Sequence, residues 1–188
     1  MYDTKHFFDR HGADWDKTAD HNPAKIRTML LLADLTPHSV ILDVGCGTGV
    51  LESYLLEYEP SVILGVDFAP GMIAAARQKI QHEAVRFACA DIMDISDLLC
   101  DCCFLFNTFQ HFAEPVPVLE HITGLIRIGG RIMISHTQGK RLPPVGGPKS
   151  GSQSLAPAQG LAKLLEKDFY TDVVIDNNAM LLVSGIRR

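Results

Sequence analysis

The residues whose types and spacing point to chemistry are three acids, three closely spaced glycines and two histidines in a chain of 188 residues. The segment VILDVGCGTGVL, residues 40–51, is a β-branched run that ends at Asp43 and is followed by Gly45, Gly47 and Gly49. Glycines suit a strand-to-helix turn whose backbone leaves the usual φ/ψ regions and must approach a ligand with no Cβ in the way. The helix that follows would present free N–H groups, as in sites that hold pyrophosphate. The dinucleotide fingerprint G-x-G-x-x-G would, however, need its third glycine where Val50 stands, so the spacing here departs from it. Asp67 closes a second β-branched run, VILGVD. A carboxylate at that strand end can accept from both ribose hydroxyls, which a 2′-phosphate would prevent. Asp91 closes a third run, VRFACAD, and can accept from an adenine amino group. Three successive strand ends with an acid each fit an adenosine ligand without a polyphosphate.

His111 is predicted just beyond a fourth strand. It is a candidate base, and it serves equally as a group that orients a substrate or caps the next helix. His136 is predicted at the end of a fifth strand, facing either a substrate or the backbone of the next segment. Trp15 either reaches the site or packs on the surface. Lys140, Arg141 and Lys149 either attract an acidic acceptor or are simply solvated. The cluster CDCC, residues 100–103, raises the question of a metal. In a strand, Cys102 and Cys103 point to opposite faces. Cys100 and Cys102 can share a face, but no second close pair completes a tetrahedral set, so no metal is expected.

These residues need a frame to position them. Asn22–Pro23 reads as an N-cap and first turn, with Ile26, Met29 and Leu30 at helical spacing and an end near Leu35. Strands are expected at 40–44, 62–67, 85–91, 102–107 and 129–136. Helices are expected through Leu51, Leu55 and Leu56, from Pro70 to Ile80 and over 115–125. Such alternation implies parallel βαβ units with both sheet faces covered. A helix over 157–167 and two strands meeting at Asn177–Asn178 then read as an antiparallel hairpin added at the sheet edge. Between these parts, 137–153 is rich in glycine and proline and is either a flap over the site or a plain connection.

Taken together, these residues resemble a class I S-adenosylmethionine-dependent methyltransferase over roughly 37–136. In that family an acid before G-x-G-x-G forms the cofactor loop, matching Asp43, Gly45, Cys46, Gly47 and Gly49. The resemblance assigns the ribose to Asp67, with Phe68 and Met72 beyond it, and the adenine to Asp91 with Ile92. After strand four the family often has a polar residue and then a histidine, here Asn107 and His111 in FNTFQHF. LIRIGGRIMI resembles the family's approach to strand five, with Ile128 where proline is commoner. The opening FFDRHGADWD resembles the arm of small-molecule members of the quinone-biosynthesis type, which can close over the cofactor. The fold implied is α/β, Rossmann-like, with a mostly parallel seven-stranded sheet, helices on both faces and a C-terminal antiparallel hairpin. Methyl transfer from S-adenosylmethionine to a small-molecule acceptor is the activity implied, with S-adenosylhomocysteine as the product. A non-catalytic adenosyl sensor or accessory subunit stays open, and an NAD(P)-dependent oxidoreductase is disfavoured by the glycine spacing.

Composition agrees with a single domain: an N-terminal helical lid at 1–36, a core at 37–136, the flap and a C-terminal unit at 154–188. A net charge of −5 argues against a general nucleic-acid binder. The apolar runs are too short for a membrane-spanning helix, and the charged start lacks a signal-peptide core. Five cysteines read as reduced thiols in a cytoplasmic protein. A homodimer is compatible with all of this.

Overall fold

The computed structural model describes residues 4–18, 21–137 and 158–188. The flap reading, with Lys140, Arg141 and Lys149, thus falls almost wholly outside the described residues. In chain order the elements are α1 (Thr4–His11), a 3-10 turn at Gly12–Asp14, α2 (Trp15–Thr18), α3 (Pro23–Leu32) and β1 (Val40–Val44). Then come α4 (Glu52–Leu55), β2 (Val62–Asp67), α5 (Pro70–Lys79), β3 (Val85–Cys89), β4 (Cys100–Phe106) and α6 (Pro115–Leu125). The chain continues through β5 (Ile126–His136), α7 (Ala158–Leu165), β6 (Phe169–Asp176) and β7 (Leu181–Arg187).

All seven strands form one sheet in the order β3-β2-β1-β4-β5-β7-β6. The pairs from β3 through β5 are parallel, while β7 runs antiparallel to both β5 and β6. This is the mostly parallel sheet with a terminal hairpin that the sequence implied. β1 is flanked by β2 on one side and β4 on the other, so the winding reverses there and a crevice opens beyond the carboxyl ends of these strands. Arg131 on β5 ties the hairpin down, donating to Asp172 Oδ2 on β6 and Ser184 Oγ on β7, both at 2.6 Å.

The strand period of two divides the core. Ile41, Cys102, Phe104 and Met133 pack with α3 and α4 on one face, while Leu42, Cys103, Leu105 and Ile132 pack with α6 and α7 on the other. A register shift between Cys100 and Cys102 breaks the alternation. It places Cys100 in the same cluster as Cys103, not with Cys102 as the spacing suggested. Burial pushes the thiols of Cys102 and Cys103 well above their ordinary range, which leaves them inert as nucleophiles.

Several boundaries differ from expectation for local reasons. α3 opens on Asn22, whose Oδ1 accepts from Ala24 N (3.0 Å) and Lys25 N (3.3 Å), a cap worth about 1 kcal/mol. It ends at Leu32, before Asp34 turns left-handed at φ 51°. The helix after the glycines is a single turn that tightens into 3-10 geometry at Leu56–Tyr58 and stops at the left-handed Glu59. β3 closes at Cys89 because Asp91 leaves the sheet to cap a 3-10 turn, its Oδ1 accepting from Met93 N at 3.0 Å. β4 starts at Cys100 and ends before Asn107, and β5 starts at Ile126, ahead of its glycines. Among the described residues no helix is long and apolar enough to cross a membrane.

Candidate cofactor and acceptor site

The turn after β1 is pinned to β2. The N–H groups of Gly45 and Cys46 both donate to Val66 O, at 2.7 and 3.1 Å. Gly45, Gly47 and Gly49 all have positive φ, between 56° and 76°, a region that side chains disfavour. The Cβ direction of Gly47 meets no atom within 4 Å, so the loop presents bare backbone there. Gly47 N–H also donates to Asp67 Oδ2 at 3.0 Å, and Ala69 N–H donates to Asp67 Oδ1 at 2.8 Å. These two amides orient the Asp67 carboxylate and leave each oxygen a further lone pair. Burial raises its pKa, and the two amides oppose that rise.

In the crevice lies a cavity of about 400 Å³. It is lined by Val44, Gly45, Asp67, Phe68, Ala90, Asp91 and Ile92, at and beyond the ends of β1, β2 and β3, and by Thr108, His111, Phe112, Glu114 and Pro117 after β4. The first group offers two carboxylates beside the apolar side chains of Phe68, Ala90 and Ile92, which suits a purine nucleoside. Of the residues singled out in the sequence, Gly45, Asp67, Phe68, Asp91, Ile92 and His111 line the cavity. Asp43 and Cys46 are buried behind the loop, and Met72 is packed into the core. Gly49 lies under Phe87 and Ala76. The Asn107 side chain turns from the cavity to β5, where its Oδ1 accepts from Thr137 N–H at 2.9 Å. His136 is 5% exposed and buried near His111 and Lys25. Burial lowers the pKa of both histidines to about 4, so both rings are neutral at neutral pH.

The N-terminal arm reaches the same place. Asp9 Oδ1 accepts from Gly71 N–H at 2.7 Å, and Gly12 sits so close to Gly71 that a Cβ would lie 2.4 Å from its carbonyl carbon. Asp16 accepts from Thr48 Oγ1 in the glycine loop and pairs with Lys79 of α5 at 2.5 Å. Phe8 then stands edge-on to His111, with ring centroids 5.1 Å apart, and to Trp15 at 5.3 Å. Trp15 thus bears on the site through Phe8. Asp16→Ala is expected to loosen the arm, raising hydrogen exchange of its amides about tenfold while the sheet amides stay unchanged. Unchanged arm exchange would show that this latch does not hold it.

Three functional candidates escaped the sequence reading. Phe8 is brought in only by the arm's return. Gln110 gave no signal of its own beside His111. Glu52 had one: a charged residue between Leu51 and Leu55 on the buried side of a short helix. It is fully buried, and neither carboxylate oxygen has a hydrogen-bond partner among the described residues.

The geometry is that of an α/β domain with a cavity at the sheet's switch point, lined by the Asp67 and Asp91 carboxylates, a histidine and apolar side chains. Residues 42–134 match the family described as "Methyltransferase domain". The chain carries a class I S-adenosylmethionine-dependent methyltransferase domain. It is 42% identical over 88 residues to the malonyl-[acyl-carrier protein] O-methyltransferase of Acetivibrio thermocellus, covering 45% of this chain and 31% of that protein. To the demethylmenaquinone methyltransferase of Thermus thermophilus it is 34% identical over 99 residues, 50% of this chain and 45% of that one. It therefore spans a third to a half of the length of the curated relatives it matches. The N-methyltransferase NodS of Bradyrhizobium japonicum WM9, solved with S-adenosyl-L-homocysteine, superimposes with a TM-score of 0.79 over 98% of both chains. At 16% identity that likeness is one of fold.

Proposed function

We propose that the protein moves the methyl group of S-adenosylmethionine to a small-molecule acceptor by direct displacement. The observation that carries this reading is that Asp67, Phe68 and Asp91 line the same cavity as His111, Phe112 and Glu114. When bound, S-adenosylmethionine supplies an electrophilic methyl on a sulfonium with a good leaving group. The chain's task is then alignment and exclusion of water. Asp67, held by the Gly47 and Ala69 amides, accepts from the ribose hydroxyls. Asp91 has one oxygen committed to its own turn and the other free for the base. The bare backbone at Gly47 lets the ligand approach the loop closely. Phe8 and Trp15 cover the acceptor end and keep solvent from the reacting atoms. The name of the demethylmenaquinone methyltransferase supports a small acceptor, and that of the malonyl-[acyl-carrier protein] O-methyltransferase an acyl group borne on a carrier protein.

The test is calorimetry with S-adenosylhomocysteine, using NAD as control ligand. Micromolar binding is expected, weakened on the order of 100-fold in Asp67→Ala through loss of charge-assisted hydrogen bonds. NAD should not bind. Absence of S-adenosylhomocysteine binding, or binding of NAD alone, would overturn the reading. Binding without turnover across an acceptor screen would point to a sensor or accessory subunit.

A further inference from the structure

Gln110 is 7% exposed and lies behind the cavity wall. Its side-chain amide meets two groups at once: Asn107 O at 2.8 Å and His111 Nε2 at 3.2 Å. A backbone carbonyl can only accept, so the amide atom facing Asn107 O must be the nitrogen. The reverse orientation would set two oxygens against each other at that distance. An NH2 group has two hydrogens and no acceptor capacity. Its second hydrogen therefore points to His111 Nε2, and that nitrogen must carry a lone pair. The neutral ring then holds its proton on Nδ1.

What aims Gln110 is equally specific. Asn107 is left-handed, at φ 54°. Its N–H donates to Ser135 O at 2.9 Å, and its Oδ1 accepts from Thr137 N–H at 2.9 Å. Both bonds go to the end of β5. The Asn107 carbonyl is thereby turned back over the 3-10 turn Phe109–His111, where Gln110 finds it. The chain of contacts runs from β5 through Asn107 and Gln110 to the ring that lines the acceptor end.

We propose that Gln110 is a positioning residue that locks His111 as the Nδ1–H tautomer, so that the ring meets the methyl acceptor as a hydrogen-bond donor and not as a base. The Nε2 lone pair is committed to Gln110, and Nδ1 already carries a proton. His111 then has no lone pair with which to take a proton from the acceptor. The acceptor class that fits is one that arrives with an unprotonated lone pair, such as an ionised oxygen, on which an N–H can fix the direction of attack. This role rests on the proposed methyl transfer, but the tautomer does not.

The experiment is long-range ¹H–¹⁵N correlation of the histidine rings in the full chain, with His111→Asn to assign the resonance. The parent protein is expected to show His111 with a pyrrole-type Nδ1 and a pyridine-type Nε2. Gln110→Glu replaces the amide donor with a carboxylate acceptor and is expected to move the proton to Nε2. Gln110→Leu should leave a mixture of tautomers. In turnover assays Gln110→Glu is expected to lower kcat about tenfold, the scale of one redirected hydrogen bond. Calorimetric affinity for S-adenosylhomocysteine should stay at the parent value. A parent ring protonated on Nε2, or a tautomer indifferent to Gln110→Glu, would overturn the proposal. The spectra report on Gln110 whether or not an acceptor is found, so failure of the methyltransferase reading would be seen separately, in the calorimetry.

Discussion

Gly45→Ala is expected to remove S-adenosylhomocysteine binding by on the order of 100-fold or more while leaving the sheet folded. Two costs combine at this position. Gly45 has φ 69°, and a side chain there costs roughly 1–2 kcal/mol. The new Cβ would also lie 2.1 Å from Thr108 Oγ1 and 2.7 Å from Thr108 Cβ. The second contact is to the root of a side chain, so turning the hydroxyl away does not relieve it. Either the glycine loop or the segment after β4 must move, and both segments line the cavity. Gly124→Ala is the control. It lies within α6 with nothing within 4 Å of its Cβ, and alanine there should gain roughly 0.5–1 kcal/mol of stability with binding unchanged. Calorimetry and thermal melts on both variants decide the matter. Parent-like binding by Gly45→Ala would mean that the loop does not cradle the ligand.

Glu52→Gln is expected to flatten the loss of stability on the alkaline side. Glu52 is fully buried, in space left by Gly65, where a Cβ would sit 2.5 Å from Oε1. Burial raises its pKa to about 7 from an ordinary 4.5, against the opposing charge of Lys79. A group that binds its proton more tightly when folded stabilises the fold fully below its unfolded pKa. That contribution is lost as pH rises through the folded pKa. Over the window from about 4.5 to 7 the loss amounts to roughly 3 kcal/mol. Glutamine keeps the shape and removes the charge, so denaturant melts at pH 5 should nearly coincide, with the variant the more stable at pH 8. Asp43, also raised by burial and by the neighbouring Glu52 and Asp67 charges, contributes in the same direction, and Glu52→Gln removes Glu52's share of that rise as well. Equal pH slopes in parent and variant would sink the idea.

How far the sequence could be read follows the range of the forces involved. The runs VILDV and VILGVD are buried on both faces, and their β-branched content and flanking glycines mark them without any tertiary knowledge. α6 came out over its expected span because Pro115 opens it and because its buried residues Leu119, Ile122 and Leu125 keep helical spacing. Asp67 and Asp91 were legible because strand ends at a switch point face one crevice. The helix after the glycine loop stops before Pro60, as the period of Leu51, Leu55 and Leu56 implied, but that period does not announce its tightening into 3-10 geometry at Leu56–Tyr58. Cys100 was misplaced by one irregularity in strand pairing, which no pattern in CDCC announces. Phe8 depends on where an arm returns. Gln110 depends on the direction of a single carbonyl, set by the left-handed Asn107 and by bonds to a strand nearly thirty residues away. Such information is carried by three-dimensional neighbours, not by local spacing.

The antiparallel hairpin has a consequence for how the chain comes together. β7 follows β6 in sequence but lies between it and β5. Its residues Leu182, Val183 and Ser184 are completely enclosed. During synthesis the five parallel strands are complete first, with β5 as an open edge. β6 emerges next but has nowhere to pair. Only when β7 arrives can both strands dock, and Arg131 then finds Asp172 and Ser184 together. Until that moment the nascent protein carries an uncapped row of backbone donors and acceptors along β5, the kind of edge that invites pairing with a neighbouring chain. The part of the crevice lined by Asp67, Phe68 and Asp91 is built from strands made earlier. An early-bound ligand can therefore steady the first five strands while the exposed edge waits for its cover.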